Sequence, residues 1–180
     1  MSNSGPKGRR ETQLALQRAV AELSLTRSPG AISIKEIAEA AGVTAGLVHY
    51  YYETKDDLIG ATLVMLAEHL LEPTETDDPR EVAETFLDRL VAEPSFVRIG
   101  SWLVLSGPRP HSAMGRFPLV DRLRETMEPE LDRDARIATA LSVVLAAAFF
   151  APILSDATGA PYADVVANLR TITGDLTAGN

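Results

Sequence analysis

The sequence predicts an all-α protein of about nine helices. Apolar residues recur every three to four positions along most of the chain, the spacing of an amphipathic helix. No stretch alternates with the period of two that a half-buried strand requires. Proline, glycine and capping residues cut the chain into helix-length pieces. With 180 residues, 46% of them hydrophobic, the chain can bury a core, which excludes global disorder.

Taken in order, Leu14, Leu16, Ala19, Val20 and Leu23 mark one face of a first helix over 12–25, ended by Ser28-Pro29-Gly30. Ser33-Ile34-Lys35-Glu36 reads as a capping box that opens a second helix, and Gly42 stops it after two turns. A short piece follows over 44–51. Ile59, Leu63, Leu66 and Leu70 line one side of a helix over 55–71. An acidic loop, Thr74 to Asp78, leads to Asp78-Pro79, an N-cap followed by proline at the first helical position. Val82, Phe86 and Leu90 carry the next helix, and Pro94 opens another with Phe96, Ile99 and Leu103. Gly107-Pro108-Arg109-Pro110 reads as a rigid loop before a helix with Met114, Phe117, Val120, Leu123 and Met127. Asp132 or Asp134 is expected to cap a long Ala-rich helix reaching Leu154, with a turn from Ala157 to Pro161. Tyr162, Val165, Leu169, Ile172 and Leu176 complete a last amphipathic helix.

Composition narrows the function. The net charge is −8, which argues against a protein coated in basic charge for unspecific adhesion to nucleic acid or membrane. The charge is uneven: residues 1–60 hold seven basic and seven acidic groups, and residues 61–180 hold ten and eighteen. That asymmetry suggests an N-terminal unit facing an anion and an acidic remainder facing away. Cysteine is absent, so disulfides and thiolate chemistry are not available to this sequence. Ile137 to Ser155 is 19 residues without a charge, but six are alanine and Pro152 sits near the end, so a buried helix is expected there and no membrane span. Met1 to Gln13 is polar, and no targeting segment is expected. Gly-x-Ser-x-Gly, Gly-x-Gly-x-x-Gly and P-loop patterns are absent, and His49, His69 and His111 fall on separate segments. No enzyme activity, metal site or cofactor is expected.

Residues 34–51 have helix-turn-helix spacing. Ile37 faces inward, Ala38 allows close approach of the next helix, Gly42 suits the left-handed conformation of a three-residue turn, and Val43 and Val48 supply the inner face of the second helix. Such a motif offers its second helix to the major groove, which admits one α-helix. An ordinary corner between two core helices has the same spacing, so spacing alone leaves both readings open.

The residues themselves resemble a known family. Ile37-Ala38, Gly42-Val43-Thr44, the aromatic run Val48-His49-Tyr50-Tyr51-Tyr52 and Thr54-Lys55-Asp56-Asp57-Leu58 look like the DNA-binding domain of TetR-type (TetR/AcrR) transcriptional regulators, over roughly residues 9–66. The resemblance implies a three-helix homeodomain-like helix-turn-helix domain over 1–54. It is followed by a larger helical effector-binding and dimerisation domain over 55–180, in which 55–71 is the connecting helix. It also implies a cytoplasmic, ligand-responsive regulator, a repressor that binds a pseudo-palindromic double-stranded operator as a homodimer and is released by a small-molecule effector. A different class stays open beside it: a helical dimeric interaction module that no longer reads DNA.

Carried over by resemblance, Thr44 caps the recognition helix and touches a phosphate, Ala45, Gly46 and His49 face base edges, and Tyr50 is the groove-facing aromatic residue. Tyr51 stands where many members have a phosphate-contacting histidine, and Tyr52 where they have a buried phenylalanine. Lys55 sets a cation and a helix N-terminus against the backbone, and Ser33 and Lys35 do the same from the second helix. Arg9 and Arg10 occupy the arm that reaches the duplex. The last two helices are expected to dimerise. Ala140, Ala146, Ala147 and Ala148 permit close packing, while Val143, Val144, Phe149, Phe150 and Leu154 make the longer helix apolar nearly all round. A charge at its centre, Val144, is expected to break the dimer or the fold. Phe86, Phe96, Trp102, Met114 and Phe117 are candidates to line an apolar effector cavity, with His69, Arg98 and His111 as polar anchors, and each also reads as ordinary structure.

Overall fold

The computed structural model describes residues 8–70, 72, 74–106 and 118–178. Among these residues there are nine α-helices, one 3₁₀ turn and no strand, as the periodicity predicts. The helices are α1 (Arg9–Ser24), α2 (Ile34–Ala40), α3 (Ala45–Tyr51), α4 (Lys55–Leu70), α5 (Pro79–Ala92), α6 (Pro94–Ser106), α7 (Pro118–Thr126), α8 (Arg133–Thr158) and α9 (Tyr162–Ala178). The 3₁₀ turn is Pro29–Ala31. Met114, Phe117, His111 and the Gly107–Pro110 loop lie outside the described residues.

The helices gather into two compact units. One holds the described parts of 1–69 and 94–115, and the other those of 70–93 and 116–180. The cut follows compactness and falls elsewhere than the functional division expected at residue 54. The chain leaves the first unit to form α5 and returns to it as α6.

In the first unit, Leu16 and Val20 of α1, Ile37 of α2, Val48 of α3, Leu58, Ile59 and Leu63 of α4, and Ile99 of α6 are each at most 1% exposed and share one core. The capping box expected at α2 is present. Ser33 Oγ accepts from Glu36 N (3.2 Å), and the Glu36 carboxylate accepts from Ser33 N (2.8 Å). Gly42 has φ 67, the left-handed conformation that a Cβ disfavours, and Val43 N donates to Ala38 O (2.9 Å) to close the turn.

The second unit is built on α9, which packs against α5 and α8. Arg80 Nη2 of α5 pairs with Asp175 of α9 at 2.6 Å. Gly174 makes room for it, since a Cβ there would lie 2.5 Å from Arg80 Nη1. Asp78 caps α5 through Arg80 N (2.9 Å), as its sequence suggests. Two details of α8 differ from expectation. Asp132 is its N-cap residue but its side chain makes no cap bond, and Asp134 instead holds Arg124 (Oδ1 to Nε, 2.9 Å). The helix also runs through Pro152 to Thr158. A proline removes one N–H from the ladder without stopping it here, and the true stop is Gly159 (φ 72), whose N–H reaches Ser155 O at 2.9 Å.

Helix α8, expected to be buried with a second protomer as part of its cover, is partly covered among the described residues. Ile137, Ala140, Val144 and Ala151 face the interior of the unit, but Leu145, Phe149, Phe150, Ile153 and Leu154 are exposed. Among the described residues, α8 is the one helix long and apolar enough to cross a membrane, and 22% of its apolar stretch is buried. Among the described residues of this unit, these apolar side chains of α8 stay exposed.

Candidate nucleic-acid interface

Helix α3 has only seven residues, includes Gly46, and is too short to hold together by propensity. Tertiary anchors fix it. Val48 is 1% exposed, and Tyr52, just past its end, is 8% exposed with its phenol accepting from Gln17 Nε2 (3.1 Å). Burial raises the Tyr52 hydroxyl above its ordinary pKa, against the opposing hydrogen bond from Gln17. Tyr52 is therefore a core residue, as its place in the motif implies.

With that face buried, the rest of α3 turns outward. Thr44, Ala45, Gly46 and His49 are exposed, and Tyr50 is 76% exposed. Tyr51 is half-buried against the core, and its ring meets Tyr50 edge-to-face with centroids 5.0 Å apart. Tyr51 thus props the projecting Tyr50 ring. Thr44 is the N-cap residue by backbone position, yet its side chain makes no cap bond. The hydroxyl expected to close this helix does not do so.

Ser33 and Lys35, at the start of α2, are exposed. The Ser33 hydroxyl is engaged with the Glu36 carboxylate at 2.7 Å. Glu36 in turn pairs with Arg27 at 2.5 Å. The Arg27 guanidinium, then Ser33, hold the Glu36 carboxyl down at about 2. The sequence signal for this pair is weak, because the two residues lie nine positions apart across a turn.

Lys55 has a role that sequence reasoning missed. Its ammonium donates to Gly30 O (2.6 Å) and Ile32 O (3.1 Å), tying the first turn of α4 to the loop before α2. Two of its three donors are thereby engaged. The N-terminus of α4 also closes a capping box of its own: Thr54 N donates to Asp57 Oδ2 (2.9 Å), and Asp57 N to Thr54 Oγ1 (3.1 Å). The pattern Thr54-x-x-Asp57 was a legible signal for it.

The five expected effector residues fall in different places. Phe86 is 6% exposed in the second unit, whereas Phe96 and Trp102 are half-buried against the core of the first. Met114 and Phe117 lie outside the described residues. Of the polar anchors, Arg98 Nε donates to Ser24 O (2.6 Å) at the end of α1, His69 is exposed, and His111 lies outside the described residues. Among the described residues, no three His, Asp or Glu side chains form a group able to hold a metal ion.

An exposed short helix carrying two aromatic rings and a histidine, flanked by the starts of two other helices, is the surface that comparison with known proteins can identify. Residues 18–62 match the model of bacterial regulatory proteins of the tetR family. The HTH-type transcriptional repressor Rv3405c of Mycobacterium tuberculosis is 35% identical over 158 residues, covering 86% of this chain and 81% of that protein. A tetR-family transcriptional regulator from Streptomyces coelicolor shares the fold with a TM-score of 0.68 at 21% identity, over 96% of this chain and 84% of that one. A TetR transcription regulator from Haloarcula marismortui does so with a TM-score of 0.66 at 19% identity, over 94% and 98%. With the helix-turn-helix geometry in place and these relatives alongside it, the chain belongs to the tetR family of bacterial regulatory proteins and is a transcriptional regulator.

Proposed function

We propose that the protein is a cytoplasmic, ligand-responsive repressor that binds a pseudo-palindromic operator as a homodimer and is released by a small-molecule effector. The observation that carries the DNA reading is α3, whose inner face is locked by Val48 and Tyr52 while His49 and the Tyr50 ring stand exposed. Tyr50, His49, Ala45 and Gly46 read base edges in the major groove; Ser33, Lys35, Thr44, Tyr51 and the remaining donor of Lys55 take phosphates. Phosphate contacts set register, and the groove-facing side chains choose sequence. The relative from Mycobacterium tuberculosis that is named a repressor supports the direction of regulation.

Dimerisation is supported by the uncovered apolar face of α8, to which Tyr162 and Ile172 of α9 add further exposed apolar surface. A second copy covers it and brings two recognition helices to half-sites about one helical turn apart or slightly more. The effector is proposed to bind within residues 55–180 and to act as a differential ligand. It favours the dimer that does not fit both half-sites, and DNA weakens it by the same factor.

Selection of duplexes from a randomised library by the purified protein tests the reading. Enrichment of a two-fold symmetric sequence, with affinity that falls steeply as salt rises, is the expected result. A folded dimer that enriches no sequence would instead establish the interaction-module reading.

A further inference from the structure

We propose that α6 is a working part of the DNA-binding surface, and that Trp102 and Arg98 are positioning residues that set the Pro29–Ala31 turn and, through it, the start of α2. The inference rests on the DNA-binding reading above and adds residues more than seventy positions downstream of the segment they hold.

The turn immediately precedes Ser33 and Lys35, the residues assigned to phosphate contact at α2. By itself it is a short element: three residues closed by Ala31 N to Ser28 O (2.9 Å) and Ile32 N to Pro29 O (3.3 Å). Its position is imposed from outside. Trp102 lies so close to Gly30 that a Cβ there would sit 2.8 Å from the indole Nε1 and 3.2 Å from Cε2 and Cζ2. Among the described residues, only Gly42 and Gly159 have positive φ, so Gly30 is needed for this close approach and not for its backbone conformation. Lys55 grips the carbonyls of Gly30 and Ile32, and Arg98 Nε grips the Ser24 carbonyl at the end of α1, at 2.6 Å. Ile99 and Leu103 anchor α6 in the same core as Leu16, Val20 and Ile37.

These contacts make the segment between α1 and α2 a clamped bridge. One end is held at the α1 terminus by Arg98, the middle is braced by Trp102, and the far side is tied to α4 by Lys55. A shift of α6 moves Gly30 and with it the first turn of α2. Residues 94–106 thus reach the phosphate-facing surface by a route separate from the covalent continuity of the connecting helix α4.

The test uses the full chain and the tightest duplex recovered from a randomised library, at a temperature well below unfolding. Gly30→Ala is expected to weaken that duplex about tenfold, within the range typical of coupling between sites. Adding Trp102→Phe, which removes the larger ring, is expected to restore most of the loss. Hydrogen exchange is read without DNA. In Trp102→Ala the amides of 30–36 should exchange faster while those of α4 and α8 keep their protection. If Gly30→Ala does not fold, Arg98→Gln serves in its place and should weaken the duplex in the same direction. A Gly30→Ala chain that binds like the unaltered one, a double variant no better than the single, or unchanged exchange over 30–36 in Trp102→Ala would each overturn the proposal. If the unaltered chain enriches no duplex, the DNA reading fails instead, and the exchange experiment still decides whether the clamp exists.

Discussion

The two ends of this chain expose apolar residues in opposite ways. Around α3 the exposed ring is Tyr50, a phenol with a polar handle, beside His49 and the small residues Thr44, Ala45 and Gly46. On α8 and α9 the exposed apolar groups are mainly hydrocarbon, Tyr162 aside: Phe150 at 56%, Ile153 at 63%, Leu154 at 53% and Ile172 at 49%. A surface of the first kind suits a hydrated, charged and hydrogen-bonding partner, and one of the second kind suits an apolar one. The difference supports the proposed split between recognition at α3 and assembly at α8 and α9. It also shows that α8, which looks apolar all round in sequence, has two distinct faces.

Substitutions on those two faces give the largest expected effects. Val144 is 1% exposed inside its own protomer, so Val144→Glu buries an unpaired carboxylate and should unfold the chain at a loss of several kcal/mol. Of the two outcomes expected from the sequence, loss of the dimer or of the fold, its burial favours the second, so it is a poor test of dimerisation. Ile153→Glu is the proper one. It should yield a folded monomer, seen as halved mass in light scattering with helical circular dichroism retained. A dimer that survives Ile153→Glu places the interface elsewhere.

Neighbouring tyrosines sharpen the contrast at the other end. Tyr52→Ala should cost about 3 kcal/mol in folding stability, the scale of losing a buried aromatic ring, measured by denaturant unfolding. Tyr50→Ala should leave stability within about 0.5 kcal/mol. It should weaken the selected duplex by roughly 1–3 kcal/mol and relax its sequence preference. Equal effects of the two on stability would remove Tyr50 from the list of groove-facing residues.

A smaller effect is expected at Lys55. Loss of its two hydrogen bonds to backbone carbonyls in Lys55→Ala should lower stability by roughly 1–2 kcal/mol, besides weakening all duplexes alike and flattening their salt dependence. If only DNA affinity changes, the tie to Gly30 and Ile32 contributes nothing to the fold.

The smallest concerns pH. The Glu36 carboxyl titrates near 2 in the folded chain, against an ordinary 4.5, because Arg27 and Ser33 favour its charged form. A depressed carboxylate contributes its stability above the ordinary value and loses it as pH falls from about 4.5 toward 2. Thermal melts in that window should show a steeper decline for the unaltered chain than for Glu36→Gln. Parallel declines would show that this pair contributes no pH-dependent stability.

Much of the fold was legible from local rules that operate within a turn or two. The capping box at Ser33, the left-handed Gly42, the cap at Asp78 and the buried stripe of α4 all follow from residues close in sequence, and all are present. The helix-turn-helix geometry was legible for the same reason, because it is encoded in one continuous stretch. What failed was side-chain closure at two helix starts. Thr44 and Asp132 occupy cap positions without their side chains bonding the helix, and Asp134 is taken by Arg124.

The amino-acid sequence alone determined the helical class and the order of the elements, since hydrophobic periodicity and short-range capping specify both locally, while the outward residues of α3 followed from the resemblance of the motif to a family. Tertiary structure decided which distant side chains meet. It placed Lys55 on the Gly30 and Ile32 carbonyls and Trp102 against Gly30, and it gave Arg98 to the end of α1 where an effector anchor was expected. It also decided which side of α8 is covered within the protomer. These outcomes depend on how α6 returns to the N-terminal core and how α9 lies against α5 and α8, and periodicity along one helix carries no information about its neighbours' positions.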